Sequence, residues 1–474
     1  MTTKPLNSLK IMGARWTYGA FFPFGKSRLL VALDANNGPL DAQWQYAGDE
    51  SWSAPSSTWR DTDPSRQLHV KANDELVILN VPNLIGSSSA LTGKLPAFVA
   101  LRDSGDIIGW GNPDYGGSIP NGIGSMKDIK EVFCTGIAFA ALTHSNQLVS
   151  WSSDNSWQVL MPRPFGLVHA NGYAFAAIND KNSVSAWGSR VPEAIGGLSD
   201  VQSLVGNYRA FAALRQSGHV VAWGEPTEGG RVPDNIAALS DIQEVSATAT
   251  AFAARRGNGT VVAWGEEFRG GLVPEDIAAL TDIVELSCSC YDGVFTARRA
   301  TGHVVAWGVS EYIGEMKTII GESTDIISMV STASSFAALS STGKVVAWGS
   351  PDQPSSTVPD DISTLDDIVQ IASSNGAFAV LRKTGKVRAW GHHRTGGVVP
   401  EDVVGKLTNV VALYSNSYNF AALTADSRVV TWGDPDGGGD SSPVDDELQY
   451  KVSYYAEPLA QSNALHSQDR KALS

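Results

Sequence analysis

One apolar–polar rhythm runs through most of the chain. An apolar run, Phe211-Ala212-Ala213-Leu214, is followed by a polar break, Arg215-Gln216-Ser217-Gly218. A second apolar run, Val220-Val221-Ala222-Trp223, comes next. Neither run alternates cleanly, and short unbroken apolar runs between turn residues predict strands buried on both faces. Two such runs around a short polar turn predict a β-hairpin.

The unit recurs nine times. Its Phe falls at Phe98, Phe139, Phe175, Phe211, Phe252, Phe295, Phe336, Phe378 and Phe420. Its Trp falls at Trp110, Trp151, Trp187, Trp223, Trp264, Trp307, Trp348, Trp390 and Trp432, always 12 residues after the Phe. Successive copies are 36 to 43 residues apart. Such a period is the mark of a repeat architecture. Seven residues after Phe the chain carries Gly in six copies, Asn146 and Asn182 in two, and Ser427 in the ninth. Gly and Asn enter the left-handed region at least cost, and a short hairpin loop wants such a residue. Ser427 is expected to be strained or to use another turn.

Two further markers precede each Phe. An Asp-Ile-like pair stands 11 residues before it, as in Asp200-Val201 and Asp241-Ile242; in the sixth copy Asp282-Ile283 stands 13 before. Further upstream is an apolar-Pro pair, as in Val232-Pro233 and Val399-Pro400. Pro cannot donate to a ladder, so this segment reads as an edge strand or its end. About four short strands per unit make a propeller blade, with a solenoid of the same period as the competitor.

Composition agrees. The 47 Gly and 14 Trp suit many tight turns between apolar strands, and 43% hydrophobic with 18% charged residues describes an ordered protein. The net charge of −14 comes without a cluster of Lys and Arg, which argues against a nucleic-acid partner. Three Cys, at Cys134, Cys288 and Cys290, form no disulfide framework, and the C-x-C pair lacks companion ligands for a metal. No cofactor is implied. Met1 to Lys10 has no apolar signal region, and no segment reaches the ~18 apolar residues of a membrane span. A soluble protein, cytoplasmic or exported without a classical signal, is the expectation.

The motif Phe-Ala-Ala-Leu…Gly-x-Val-Val-Ala-Trp-Gly, followed by Gly229-Gly230, Gly270-Gly271 or Gly396-Gly397, resembles the repeat of the RCC1-like β-propeller family over residues 90 to 433. Repeat length and the Val-Pro element look most like its short-repeat bacterial branch, which includes a β-lactamase-inhibitory protein. The resemblance implies an all-β, RCC1-like β-propeller. Family members usually close with seven blades, whereas nine units are counted here. Nine units in one closed or nearly closed assembly are expected, with seven blades plus two outlying units as the alternative. An exchange factor for small GTPases also belongs to the family, but its basic N-terminal tail has no counterpart in this acidic chain.

Residues 1–88 lack the full motif. Strand-like runs at 9–16, 28–34, 42–46, 67–71 and 75–81 suggest a small β-sandwich-like domain, with a degenerate blade as the alternative, and 52–66 reads as a loop. The propeller is expected over 89–445, and 446–474 as a peripheral or disordered tail.

Repeated residues build blades, and loops carry recognition. With the motif subtracted, the turn before each Phe varies most. Its candidate contact residues are Thr135, Tyr173, Asn207, Tyr208, Arg209, Thr248, Tyr291, Asp292, Ser334, Asn375, Tyr414, Asn416 and Tyr418. Tyr anchors among short polar residues are the composition of an adaptable recognition surface, although Asn and Ser are also ordinary turn formers. In the inhibitory family member the corresponding turns carry partner-contacting aromatics, and Tyr173, Tyr208, Tyr291 and Tyr418 match them. The loops after Trp-Gly, with Glu225, Glu266 and Glu267, read as a solvated rim on another edge. His392 and His393, as adjacent strand residues, would point to opposite faces, and His219 and His303 are turn residues. No nucleophile elbow, phosphate loop or zinc signature is present. The reading is a non-catalytic module that binds another protein. A glycan is the second partner class, and exchange-factor activity the third.

Overall fold

The structure is a computed structural model. It describes residues 8–16, 28–87, 95–151, 157–162, 165–289, 293–309, 313, 319–321 and 323–456. All nine predicted hairpins form. In the fourth, Ala210–Arg215 pairs with Val220–Gly224 and sets Phe211 opposite Trp223. The preceding strand, Val201–Gly206, pairs on the other side and completes a three-stranded antiparallel sheet. Among the described residues each unit is such a sheet, except the second, where Trp157–Pro162 adds a fourth strand.

The expected four strands thus become three, and the apolar-Pro segment explains the difference. It forms a short helical turn, as in Asp234–Ala237 after Pro233 and Glu401–Val404 after Pro400. Pro fixes a φ near −60° and donates no N–H, which suits a helix start. In five of the turns an acidic residue follows it in the first turn. In five of these turns one Ile, such as Ile236 or Ile362, is the buried anchor.

The paired Gly after Trp has a packing cause. Gly229 has φ +89°, and a Cβ there would lie 2.7 Å from the Phe252 ring of the next sheet. Its carbonyl accepts the indole N–H of Trp264, also in the next sheet, at 3.0 Å. The same link joins Trp307 to Gly270 and Trp432 to Gly396. Trp110 of the first sheet donates to Gly438, which follows the ninth. The first strands of successive sheets lie against one another, and the ninth, Val410–Ser415, meets the first, Leu84–Gly86. Phe and Trp stack within seven of the sheets, at 5.3 Å for Phe252 and Trp264. Trp223 follows one of the shortest units, and its buried indole N–H has no partner among the described residues.

At the hairpin end, the Asp of the Asp-Ile marker pairs with the Arg four residues after Phe. Arg215–Asp200, Arg256–Asp241, Arg299–Asp282 and Arg382–Asp367 lie at 2.8–3.0 Å. Ser427 keeps the same turn as its Gly and Asn counterparts, at φ +63°.

The N-terminal residues do not stand apart. Lys10–Met12, Leu29–Leu33 and Thr58–Arg60 form one sheet, and Gln43–Tyr46, Leu68–Ala72 and Glu75–Leu79 another. Thr58–Arg60 lies in the segment expected to be a loop. The first sheet rests on the inside of the ring. Gly13 donates to the Val411 carbonyl at 2.8 Å, Lys10 to Lys383, and Arg60 pairs with Glu285. Met12, Leu29 and Val31 share a core with Val369 and Leu413. The second sheet shares a core with Phe98, Trp110 and Leu423, across the junction of the first and ninth sheets. Leu84–Gly86 pairs with Ala97–Leu101, so the expected boundary at 88 falls inside the first blade. The expected tail is packed where it is described: Leu448 and Val452 are fully buried in that core, and Tyr454 donates to the Gly13 carbonyl. Among the described residues no helix is long and apolar enough to cross a membrane.

Candidate functional site

In seven of the nine copies the turn before Phe has one constant position, four residues ahead of it: Thr135, Asn171, Asn207, Thr248, Thr332, Ser374 and Asn416. Its side-chain oxygen caps the turn. Asn207 Oδ1 accepts from the N–H groups of Arg209 and Ala210, and Thr135 Oγ1 from those of Ile137 and Ala138. The same side chain donates across to the loop after Trp-Gly, from Asn207 to the Glu228 carbonyl and from Asn416 to Gly437. Asn and Thr are the residues that replace backbone partners locally. Thr135, Asn207, Thr248 and Asn416 are accordingly buried turn supports rather than contact residues. The fixed offset from Phe was the available signal for this role.

Neighbouring turns are tied to each other one residue further on. Gly136 N–H donates to Gly172, Gly172 to Tyr208, and Tyr208 to Ala249, at 2.9–3.1 Å. Ala333 donates to Asn375, and Asn375 to Ser417. The turn backbones form a pre-ordered platform, which lowers the entropic cost of binding.

Two expected residues are exposed on this platform, Tyr173 and Arg209, and Tyr208 is half-buried between them. The two tyrosine rings lie 5.0 Å apart, and their hydroxyls hydrogen-bond. The Tyr208 ring covers Gly172, where a Cβ would come within 2.5 Å. Arg209 sits over the Tyr208 ring at 5.3 Å and approaches Glu228 at 3.7 Å. Partial burial, with the Tyr173 hydroxyl beside it, pushes the Tyr208 hydroxyl up to about 12. It stays a neutral donor at physiological pH. Burial raises Glu228 above the usual carboxylate range; Arg209 opposes this, while Glu225 and Glu266 add to it.

Ser334, Asn375 and Tyr418 are half-buried, and Tyr291 and Asp292 lie outside the described residues. Tyr414 is not on a turn. It lies in Val410–Ser415, is fully buried, and meets Trp16 edge-on at 5.2 Å.

The loops after Trp-Gly do not form a separate edge. Glu225 N–H donates to the Arg209 carbonyl and Glu266 to Thr250, so these loops interleave with the turns on one face. That face holds a residue overlooked by the sequence reading, Phe268, which is 85% exposed on the loop after Trp264. Four other copies carry Asp114, Thr227, Arg394 and Asp436 at that place, so an aromatic residue where these are polar was the signal. His392 and His393 begin the 3-10 turn at His393–Thr395, not a strand, and their rings stack at 4.9 Å. Among the described residues no group of His, Cys, Asp and Glu could hold a metal. The Cys134 and Cys288 thiols donate to the Gly86 and Ala247 carbonyls, and Cys290 lies outside the described residues.

No protein-family model and no curated protein matches the chain. Solved structures do. The ectodomain of the receptor kinase CR4 from Physcomitrella patens is 13% identical over 68% of this chain and 76% of that one, with a TM-score of 0.38. Prp20p from Saccharomyces cerevisiae, described with its binding to Gsp1p and histones, is 14% identical over 68% and 85%, with a TM-score of 0.38. A chain of the complex of Kap60 with yeast RCC1 (Prp20) is 14% identical over 81% and 86%, with a TM-score of 0.36. The chain's own motif and its ring of antiparallel sheets make it an all-β repeat propeller of the RCC1-like kind.

Proposed function

We propose that the chain is a non-catalytic module that binds another protein on the turn face of the propeller. The observation that carries this reading is the cluster of Tyr173, Tyr208 and Arg209 on a backbone platform already fixed by hydrogen bonds. Tyr and Arg are the residue types that dominate binding energy in protein interfaces, and rigid aromatics lose little entropy on contact. Phe268 extends the same face. The turns differ from copy to copy, which suits one asymmetric protein better than a repeated ligand.

The test uses the intact chain as bait beside the Tyr173→Ala/Tyr208→Ala variant. A retained protein should be lost from the variant, with affinity falling by about 30-fold or more and the melting temperature unchanged. Equal retention by both baits would displace the site. Binding on a glycan array, abolished by the same substitutions, would replace a protein partner with a carbohydrate.

A further inference from the structure

Two adjacent loops of the turn face stand out by charge. The loops after Trp223 and Trp264 carry Glu225, Glu228, Glu266 and Glu267, where the loop after Trp390 carries His392, His393 and Arg394. The 3-10 turns Pro226–Glu228 and Glu267–Arg269 fix their backbones. Arg209 reaches Glu228 at 3.7 Å and Arg269 reaches Glu266 at 3.6 Å, both beyond hydrogen-bond distance. Among the described residues no cation pairs with Glu225 or Glu267.

Glu228 sits at the centre of this arrangement. Its Oε2 is buried and has no hydrogen-bond partner among the described residues. Glu225 and Glu266 both act on it with like charge. Aromatic rings lie on either side. Tyr208 is one residue before Arg209, and the exposed Phe268 directly follows Glu267. The face of such a ring attracts a cation, and Arg209 already lies over the Tyr208 ring at 5.3 Å. Rings and carboxylates thus favour the same kind of visitor by two independent effects.

We propose that the protein bound on the turn face presents a lysine or arginine side chain to the carboxylates of these two loops, with Phe268 against its apolar stem. The inference rests on the turn face being the binding surface. A partner that covers the face strips water from the glutamates. An acidic or purely apolar partner would leave them without a close cation, which is strongly unfavourable. A basic side chain supplies the missing charge, and its methylene stem packs on an aromatic ring.

The test is selection of a phage-displayed random peptide library on the full chain, compared with the Tyr173→Ala/Tyr208→Ala variant. Peptides retained by the full chain and lost from the variant should be enriched in Lys and Arg over Asp and Glu. A synthetic copy of the most enriched peptide should bind Glu228→Gln about tenfold more weakly, the loss of one charge-assisted contact. Glu401→Gln, on the helical turn after Pro400, should bind it as the full chain does. Replacing the peptide's basic residue with Gln should weaken binding to the full chain by the same factor and add little in Glu228→Gln. If Glu228→Gln fails to fold by circular dichroism, Glu267→Gln on the exposed loop decides, with an expected loss of about threefold. Tyrosine-dependent peptides without an excess of Lys and Arg, or equal binding by Glu228→Gln, would overturn this inference and leave the binding surface standing. Peptides retained equally by the full chain and the tyrosine variant, or none retained, would remove the surface itself.

Discussion

Gly396 shows what one repeat position must satisfy. Its φ is +88°, and a Cβ there would lie 2.6 Å from the Phe420 ring, which is fully buried and has no room to move. Gly396→Ala therefore combines left-handed strain with overpacking, and should destabilise the chain by about 3 kcal/mol in urea unfolding. Gly405 is the control. It has an ordinary φ of −65° and nothing within 4 Å of its Cβ position, so Gly405→Ala should be neutral or slightly stabilising. Ser427 poses the reverse case. It holds φ +63° where Asn146 and Asn182 hold +61° and +54°. Asn enters this region more readily than Ser, and Ser427→Asn should stabilise by about 0.5 kcal/mol. An unchanged urea midpoint would mean that the hydroxyl contact of Ser427 with Ser453, at 2.9 Å, matters as much as the backbone.

The unit that repeats is a hairpin held by a capped turn, and the cap can be tested as an element. Asn416 accepts from the N–H groups of Tyr418 and Asn419 and donates to Gly437. Asn416→Ala leaves buried donors unpaired, and a loss of about 3 kcal/mol is expected. Asn416→Thr should recover most of it, because Thr135 and Thr332 hold their turns through the hydroxyl. Equal losses for Ala and Thr would assign the cost to packing. This element also marks how far sequence reasoning reached. The Phe and Trp strands were legible because both faces are buried by neighbouring blades, which removes polar alternation. The apolar-Pro segment was misread as a strand, since a four-residue helix anchored by one Ile has no periodicity to detect. Thr135, Asn207, Thr248 and Asn416 were legible as turn formers, yet variation among Asn, Ser and Thr disguised one conserved job as recognition. Tyr173, Tyr208 and Arg209 stood out from the same turns and do meet on one face.

At the scale of the whole molecule, the inside of the ring was the part the sequence could not disclose. One position in three of the first strands faces it: Tyr414 meets Trp16, Ser287 lines a pocket with Leu29 and Arg60, and His169 is buried near Arg28. These contacts join residues hundreds of positions apart, and no local pattern encodes them. His169 makes the consequence measurable. Burial, reinforced by the Arg28 charge, pushes its imidazole down to about 3. The unfolded chain takes up a proton near 6.5, which the folded chain refuses until near 3. Between those values the unfolded state holds the extra proton, so stability rises with pH and falls as acid is added. Its slope from this one group approaches about 1.4 kcal/mol per pH unit. His169→Val places at this site the residue that Val205 supplies in the next blade. The variant should lose that part of the slope between pH 6 and 4 in urea unfolding, while its stability at pH 8 changes far less. An unaltered slope would mean that water reaches His169, and that the N-terminal sheet does not seal the ring from inside.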